Sequence, residues 1–175
     1  MFFNSFPIIA VDPKWTGETK IVTNLLRRVA LRAKVKTNTA LFDIYDVKEG
    51  DSPESIAFKM YGDTEYHWII MLMNNITDRY HQWPLTTPQF LSFLKDKYSN
   101  PNATHHYEIT QTSGDTTVKI NIGTVNTDYP TATAVTNMEY EEAEQDKKRK
   151  IRILDPGYVE LLTTEFKRLM KESVI

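Results

Sequence analysis

The chain has no cysteine, few glycines, almost no net charge and no apolar run long enough to cross a bilayer, and each shortage removes a class of function. Without cysteine there is no disulfide framework, thiolate zinc site, iron–sulfur cluster or cysteine nucleophile, so stability rests on packing. The 21 Lys+Arg against 23 Asp+Glu leave a formal net charge of −2, and no field of the whole protein draws it to nucleic acid or an anionic membrane. The most apolar stretch, Trp68–Met73, is far shorter than the roughly 20 residues of a spanning helix. None of the six glycines falls in G-x-G-x-x-G or G-x-x-x-x-G-K spacing and no serine in G-x-S-x-G, so neither a phosphate-cradling loop nor a nucleophile elbow is present.

Histidines and paired acids give no site either. His67 lies among aromatics and reads as a hydrogen-bonded packing residue. His105 and His106 are neighbours in an extended segment, where alternation should aim them at opposite faces and keep them from sharing one ion. Carboxylates crowd only between Glu139 and Asp146, beside Lys147–Arg152, and charge compensation on a helix accounts for them. We assign no catalytic residue, no metal site and no cofactor, and expect a chain that is not an enzyme.

What is present is enough for a folded protein: 175 residues, 41% of them hydrophobic and 25% charged. The N-terminal stretch lacks the positive n-region of a secretory signal and carries Pro7 within its apolar run. Its Phe2, Phe3 and Phe6 read as an arm that binds something, since they would otherwise be left in water. From Thr19 to Lys36, Val22, Leu25, Leu26, Val29 and Ala33 recur at spacings of three and four, predicting an amphipathic helix. Arg27, Arg28 and Arg32 share its other face, solvated or docked on an acidic protein partner, with nucleic acid a minor alternative.

Leu41–Val47 alternates like a strand and runs into a turn at Gly50-Asp51. Ser52-Pro53, Thr87-Pro88 and Asp155-Pro156 each read as a cap followed by proline in the first helical turn. Between the first two, Thr64 to about Asn74 predicts a helix buried on most faces. Thr-rich residues 104–136 suggest a β-hairpin around Thr112–Asp115, and Val159, Leu162, Phe166, Leu169 and Met170 share a face of the last helix. The expected class is α+β, in four segments: an arm and basic helix (1–40), a small module with an extra helix (41–100), the hairpin region (101–137), and a charged segment with the C-terminal helix (138–175).

The order strand, Gly50-Asp51-Ser52, helix with Ile56-Ala57, Tyr61-Gly62-Asp63, aromatic helix, Asn74-Asn75-Ile76 resembles a LysM module over about residues 43–83. The run Tyr61–Trp68 followed by Asn74-Asn75-Ile76, with the segments before and after it, is similar to the LysM-bearing baseplate wedge proteins of T4-like contractile-tailed phages, the wedge protein fifty-three family. That resemblance implies a βαα(β) module used as a structural block, in a virion tail baseplate assembled in the host cytoplasm. It implies a sixfold-symmetric hetero-oligomer with other wedge proteins, a neighbouring wedge and a sheath-initiating protein as partners, with no nucleic acid and no membrane. The residues expected at partner contacts are Phe2, Phe3, Phe6, Arg27, Arg28, Arg32, Val159 and Phe166. An alternative implied by sugar-binding LysM relatives is peptidoglycan binding, with Asp51, Ser52, Asn74 and Ile76 on N-acetylglucosamine. The module needs a second strand, which could be short, come from residues 82–86, or be replaced.

Overall fold

The computed structural model describes residues 2–27, 29–30, 39–115 and 117–172. The chain divides into two compact units, one built from residues 1–82 and 151–175, the other from 83–150.

In the first unit, strands β1 (Ile8–Val11) and β2 (Lys20–Thr23) form an antiparallel ribbon. Strand β3 (Phe42–Asp46) leads through a turn at Gly50, whose φ of 79° suits a residue without a side chain, into helix α1 (Pro53–Tyr61). Ser52 caps α1 as the sequence predicts: its side chain accepts from the Ser55 backbone N–H at 3.1 Å while Ser55 Oγ accepts from the Ser52 N–H at 2.9 Å. Gly62, left-handed at φ 77°, ends the helix. A 3-10 turn capped by Asp63 then opens helix α2 (His67–Met73), and the short helix α3 (Arg79–Gln82) closes this part of the chain.

The partner of β3 comes from far along the sequence. It is β7 (Lys150–Leu154); residues 82–86 carry no strand. Alternate positions Ile151 and Ile153 of β7 are buried, as is Leu154. Ile69, Met73, Leu154 and Val159 form a buried cluster against which Phe42, Tyr61, Trp68 and Leu162 pack. Helix α6 (Val159–Glu172), led in by a 3-10 turn that Asp155 caps, follows β7.

In the second unit, helix α4 (Thr87–Lys97) is followed by a three-stranded antiparallel sheet in the order β5-β4-β6, from β4 (Thr104–Thr110), β5 (Lys119–Gly123) and β6 (Thr133–Thr136), and then by helix α5 (Asn137–Arg149). The predicted hairpin is β4–β5, and β6 adds a strand on its other edge. The acidic stretch is not wholly a surface feature, since Glu141 and Gln145 are buried. Glu141 accepts from Lys97 Nζ at 2.6 Å and from the Tyr98 hydroxyl at 2.7 Å, and Gln145 Oε1 accepts from the Leu85 N–H at 2.9 Å.

The expected N-terminal helix is corrected over its described part. Residues 20–23 are strand and Leu25-Leu26 a turn; residues 31–38 lie outside the described residues. The run Ile21-Val22-Thr23 is β-branched, which favours a strand once Ile8–Val11 is there to pair with it.

Candidate interaction surface

The residues named for a sugar groove are occupied in holding the fold together. Asp51 Oδ2 accepts from the Tyr45 hydroxyl at 2.9 Å and from the Lys48 N–H at 3.3 Å, and Oδ1 from Lys59 Nζ at 2.6 Å. Burial would raise the Asp51 pKa; these hydrogen bonds and the Lys59 charge outweigh it and hold the carboxyl below its ordinary value. Ser52 is the helix cap. Asn74 engages both ends of its amide: Nδ2 donates to the carbonyls of Ile70 and Arg152, each at 2.8 Å, and Oδ1 accepts from the Arg152 N–H at 2.8 Å. A side chain thus pairs with both backbone groups of a β7 residue, as a neighbouring strand would.

Asn75 and Ile76 finish α2. The Ile76 N–H donates to the Met71 carbonyl at 2.8 Å and the Asn75 N–H to Leu72 at 3.2 Å, with Asn75 left-handed at φ 56°. That is a Schellman ending, and asparagine is the non-glycine residue that tolerates it best. The Tyr61 hydroxyl donates to the Leu154 carbonyl at 3.1 Å, and burial pushes its pKa up to about 12.

The expected partner contacts separate into two groups. Val159 and Phe166 are 7% and 5% exposed, a correction to their expected role: the apolar stripe of α6 is already spent inside the first unit. Phe6 is half-buried and meets Phe166 edge-on at 6.4 Å between ring centroids, while Trp68 lies 4.6 Å from Phe166. The aromatic arm therefore binds the chain's own last helix through Phe6. Phe3 stays exposed and Arg27 is half-buried. The side chain of Phe2, and Arg28 and Arg32, lie outside the described residues.

Periodicity picked out Val22, Leu25 and Leu26 but not the residues they stand with in space. Ile8, Trp15, Ile21, Val22, Leu25 and Leu26 all stand open around the β1–β2 ribbon. The signal that could have found it is the pair of apolar, β-branched runs Ile8–Val11 and Ile21–Thr23 about a Gly17 turn.

In the second unit His105 and His106 do not point apart. The β4–β6 register shifts between Thr104 and His106, and such a bulge breaks the alternation. Their Nδ1 atoms stand 2.9 Å apart, His106 Nε2 is 3.1 Å from Glu108, and the His105 ring stacks on Tyr140 at 3.9 Å. Among the described residues no group of three or more His, Cys, Asp or Glu is placed to hold a metal ion. No helix there is long and apolar enough to cross a membrane.

Two features stand out among the described residues: a small α+β unit whose motif residues are engaged in its own fold, and a β1–β2 ribbon with exposed apolar side chains, the kind of surface that marks an interaction site. The family model described as base plate wedge protein 53 matches residues 2–109, more than half of the chain, and the protein belongs to that family of phage baseplate wedge proteins. No curated protein matches it.

Proposed function

We propose that the chain is a structural, non-enzymatic subunit of a contractile-tail baseplate wedge, acting by protein–protein assembly between wedge subunits. Its place is the virion tail baseplate, reached by assembly in the host cytoplasm. Its partners are other wedge proteins, a neighbouring wedge and a sheath-initiating protein, in a sixfold-symmetric hetero-oligomer. The observation that supports this most is the apolar surface left open between Ile8 and Leu26 in a member of a wedge family. An exposed area of that kind is what an obligate interface covers.

Within this reading, Phe2 and Phe3 and the cations Arg27, Arg28 and Arg32 are contact residues, the latter facing an acidic partner. Reconstitution of a wedge from co-expressed subunits tests it. Omitting the chain should halt assembly, and charge reversal at Arg27, Arg28 and Arg32 should slow it. Wedges and baseplates that form in full yield without the chain would remove the role.

A further inference from the structure

The β1–β2 ribbon is apolar on both sides. Its cross-strand pairs place Ile9, Val11 and Val22 on one face and Ile8, Ala10 and Ile21 on the other. Among the described residues β1 and β2 pair only with each other, and a lone two-stranded ribbon is marginal in water.

Its tip is a built loop. Asp12 accepts from the backbone N–H groups of Lys14, Thr16 and Gly17 at 3.1, 3.3 and 2.6 Å. Between them Trp15 sits at φ 55° and is 94% exposed. A bulky side chain in the left-handed region is a true backbone outlier, and such outliers gather at binding sites. Just past β2, Asn24 Oδ1 accepts from the Leu26 N–H at 3.1 Å, and Leu26 is 95% exposed.

Ile8 and Ile21 on one face, Val22 on the other, Trp15 at the tip and Leu25 and Leu26 just past β2 are all exposed, and apolar side chains gathered this way in one segment mark an interaction site. The flanking charge is mostly of one sign. Asp12 and Glu18 accompany Lys14 at the tip, but from Lys20 to Lys36 the sequence carries six cations and no acid. A second copy would have only Asp12 and Glu18 of its own ribbon to offer that cationic run, so the acidic surface that complements it belongs to another protein.

We propose that residues 8–27 form a docking ribbon, anchored by Trp15, that seats in an apolar groove rimmed by carboxylates on a different baseplate wedge protein. This rests on the reading of the chain as a wedge subunit and supplies that reading with a contact surface and a partner chemistry. Tryptophan is a preferred anchor because it buries a large rigid surface with little loss of conformational freedom.

The test is calorimetric titration of the full chain with each purified wedge protein of the same phage. One of them should bind, and Trp15→Ala should weaken that binding at least tenfold. Trp15→Gly should weaken it equally while the unfolding temperature holds or rises, because glycine adopts φ 55° freely. Lys20→Glu with Arg27→Glu should weaken it further and flatten its salt dependence. Unchanged affinity in Trp15→Ala overturns the docking ribbon and leaves the wedge role standing; no binding by the native chain to any wedge protein overturns both. Loss of binding in Trp15→Gly that only tracks a lower unfolding temperature marks a fold residue and overturns the proposal. So does a homodimer of the native chain that Trp15→Ala dissolves.

Discussion

Asn74 grips Arg152 by both of its backbone groups, its Oδ1 accepting from the N–H and its Nδ2 donating to the carbonyl, each at 2.8 Å. The two residues are 78 positions apart, so one amide ties the end of α2 to the strand that pairs with β3. Removing it leaves three hydrogen bonds unmade, at about 1 kcal/mol net each where water can replace the partner. Asn74→Ala should therefore lose about 2–3 kcal/mol in urea unfolding. Asn74→Asp should do no better, because its carboxylate cannot donate to the Ile70 and Arg152 carbonyls. A loss under about 0.5 kcal/mol in both variants would show that the grip is not holding β7.

Truncation gives a second expectation. Residues 151–175 supply β7 and the buried side chains Ile151, Ile153, Leu154, Val159, Phe166 and Met170. The family match ends at residue 109, yet a chain cut there lacks the partner strand of β3 and half of the Ile69–Met73–Leu154–Val159 cluster. Such a fragment should give collapsed amide chemical shifts and no cooperative melt. A sharp, native-like spectrum from residues 1–109 alone would contradict the assignment of β7.

Acid should loosen the second unit through Glu141. Burial pushes the Glu141 pKa up, but hydrogen bonds from Lys97 and Tyr98 and the Lys97 charge outweigh it and hold the carboxyl below its ordinary 4.5. A depressed carboxyl contributes stability that is present in full above the unfolded value and fades as pH falls through the folded one. Unfolding stability should therefore be level from neutral pH to about 5 and decline below that. Glu141→Gln should be less stable at pH 7 by about 1–3 kcal/mol and show a shallower acid decline. An identical acid profile for the two proteins would rule Glu141 out as its source.

Purified peptidoglycan should not retain the chain. The positions a sugar would use are engaged: Asp51 by Tyr45, Lys48 and Lys59, Ser52 by Ser55, and Asn74 by Ile70 and Arg152. A glycan would have to displace these bonds, and unsatisfied groups would remain. Saturable retention that Asp51→Ala abolishes, with its melting temperature preserved, would reinstate the sugar-binding alternative.

What could be read in the sequence was mostly local. Ser52-Pro53 and Asp155-Pro156 mark real caps, and Gly62 and Asn74-Asn75 real helix ends, because a cap is settled within four residues of itself. The second cap stands one residue earlier than its motif suggests, at Thr86. Pairing between β3 and β7 left no such trace, because about a hundred residues separate the strands and β7 alternates in only five positions. The ribbon is ambiguous in the sequence for a different reason. Val22, Leu25 and Leu26 fit a helical stripe as well as a strand followed by a turn, and only the distant Ile8–Val11 decides between them. At His105-His106 alternation was the wrong rule, because a bulge carries one extra residue.

A density map of the intact tail, with the chain traced in it, bears most directly on the account of a wedge subunit completed by its neighbours. The chain is expected in the baseplate, with residues 8–27 and Trp15 buried against another polypeptide and the first unit as described. Finding the chain elsewhere in the particle, or finding that ribbon facing solvent in every copy, would contradict it.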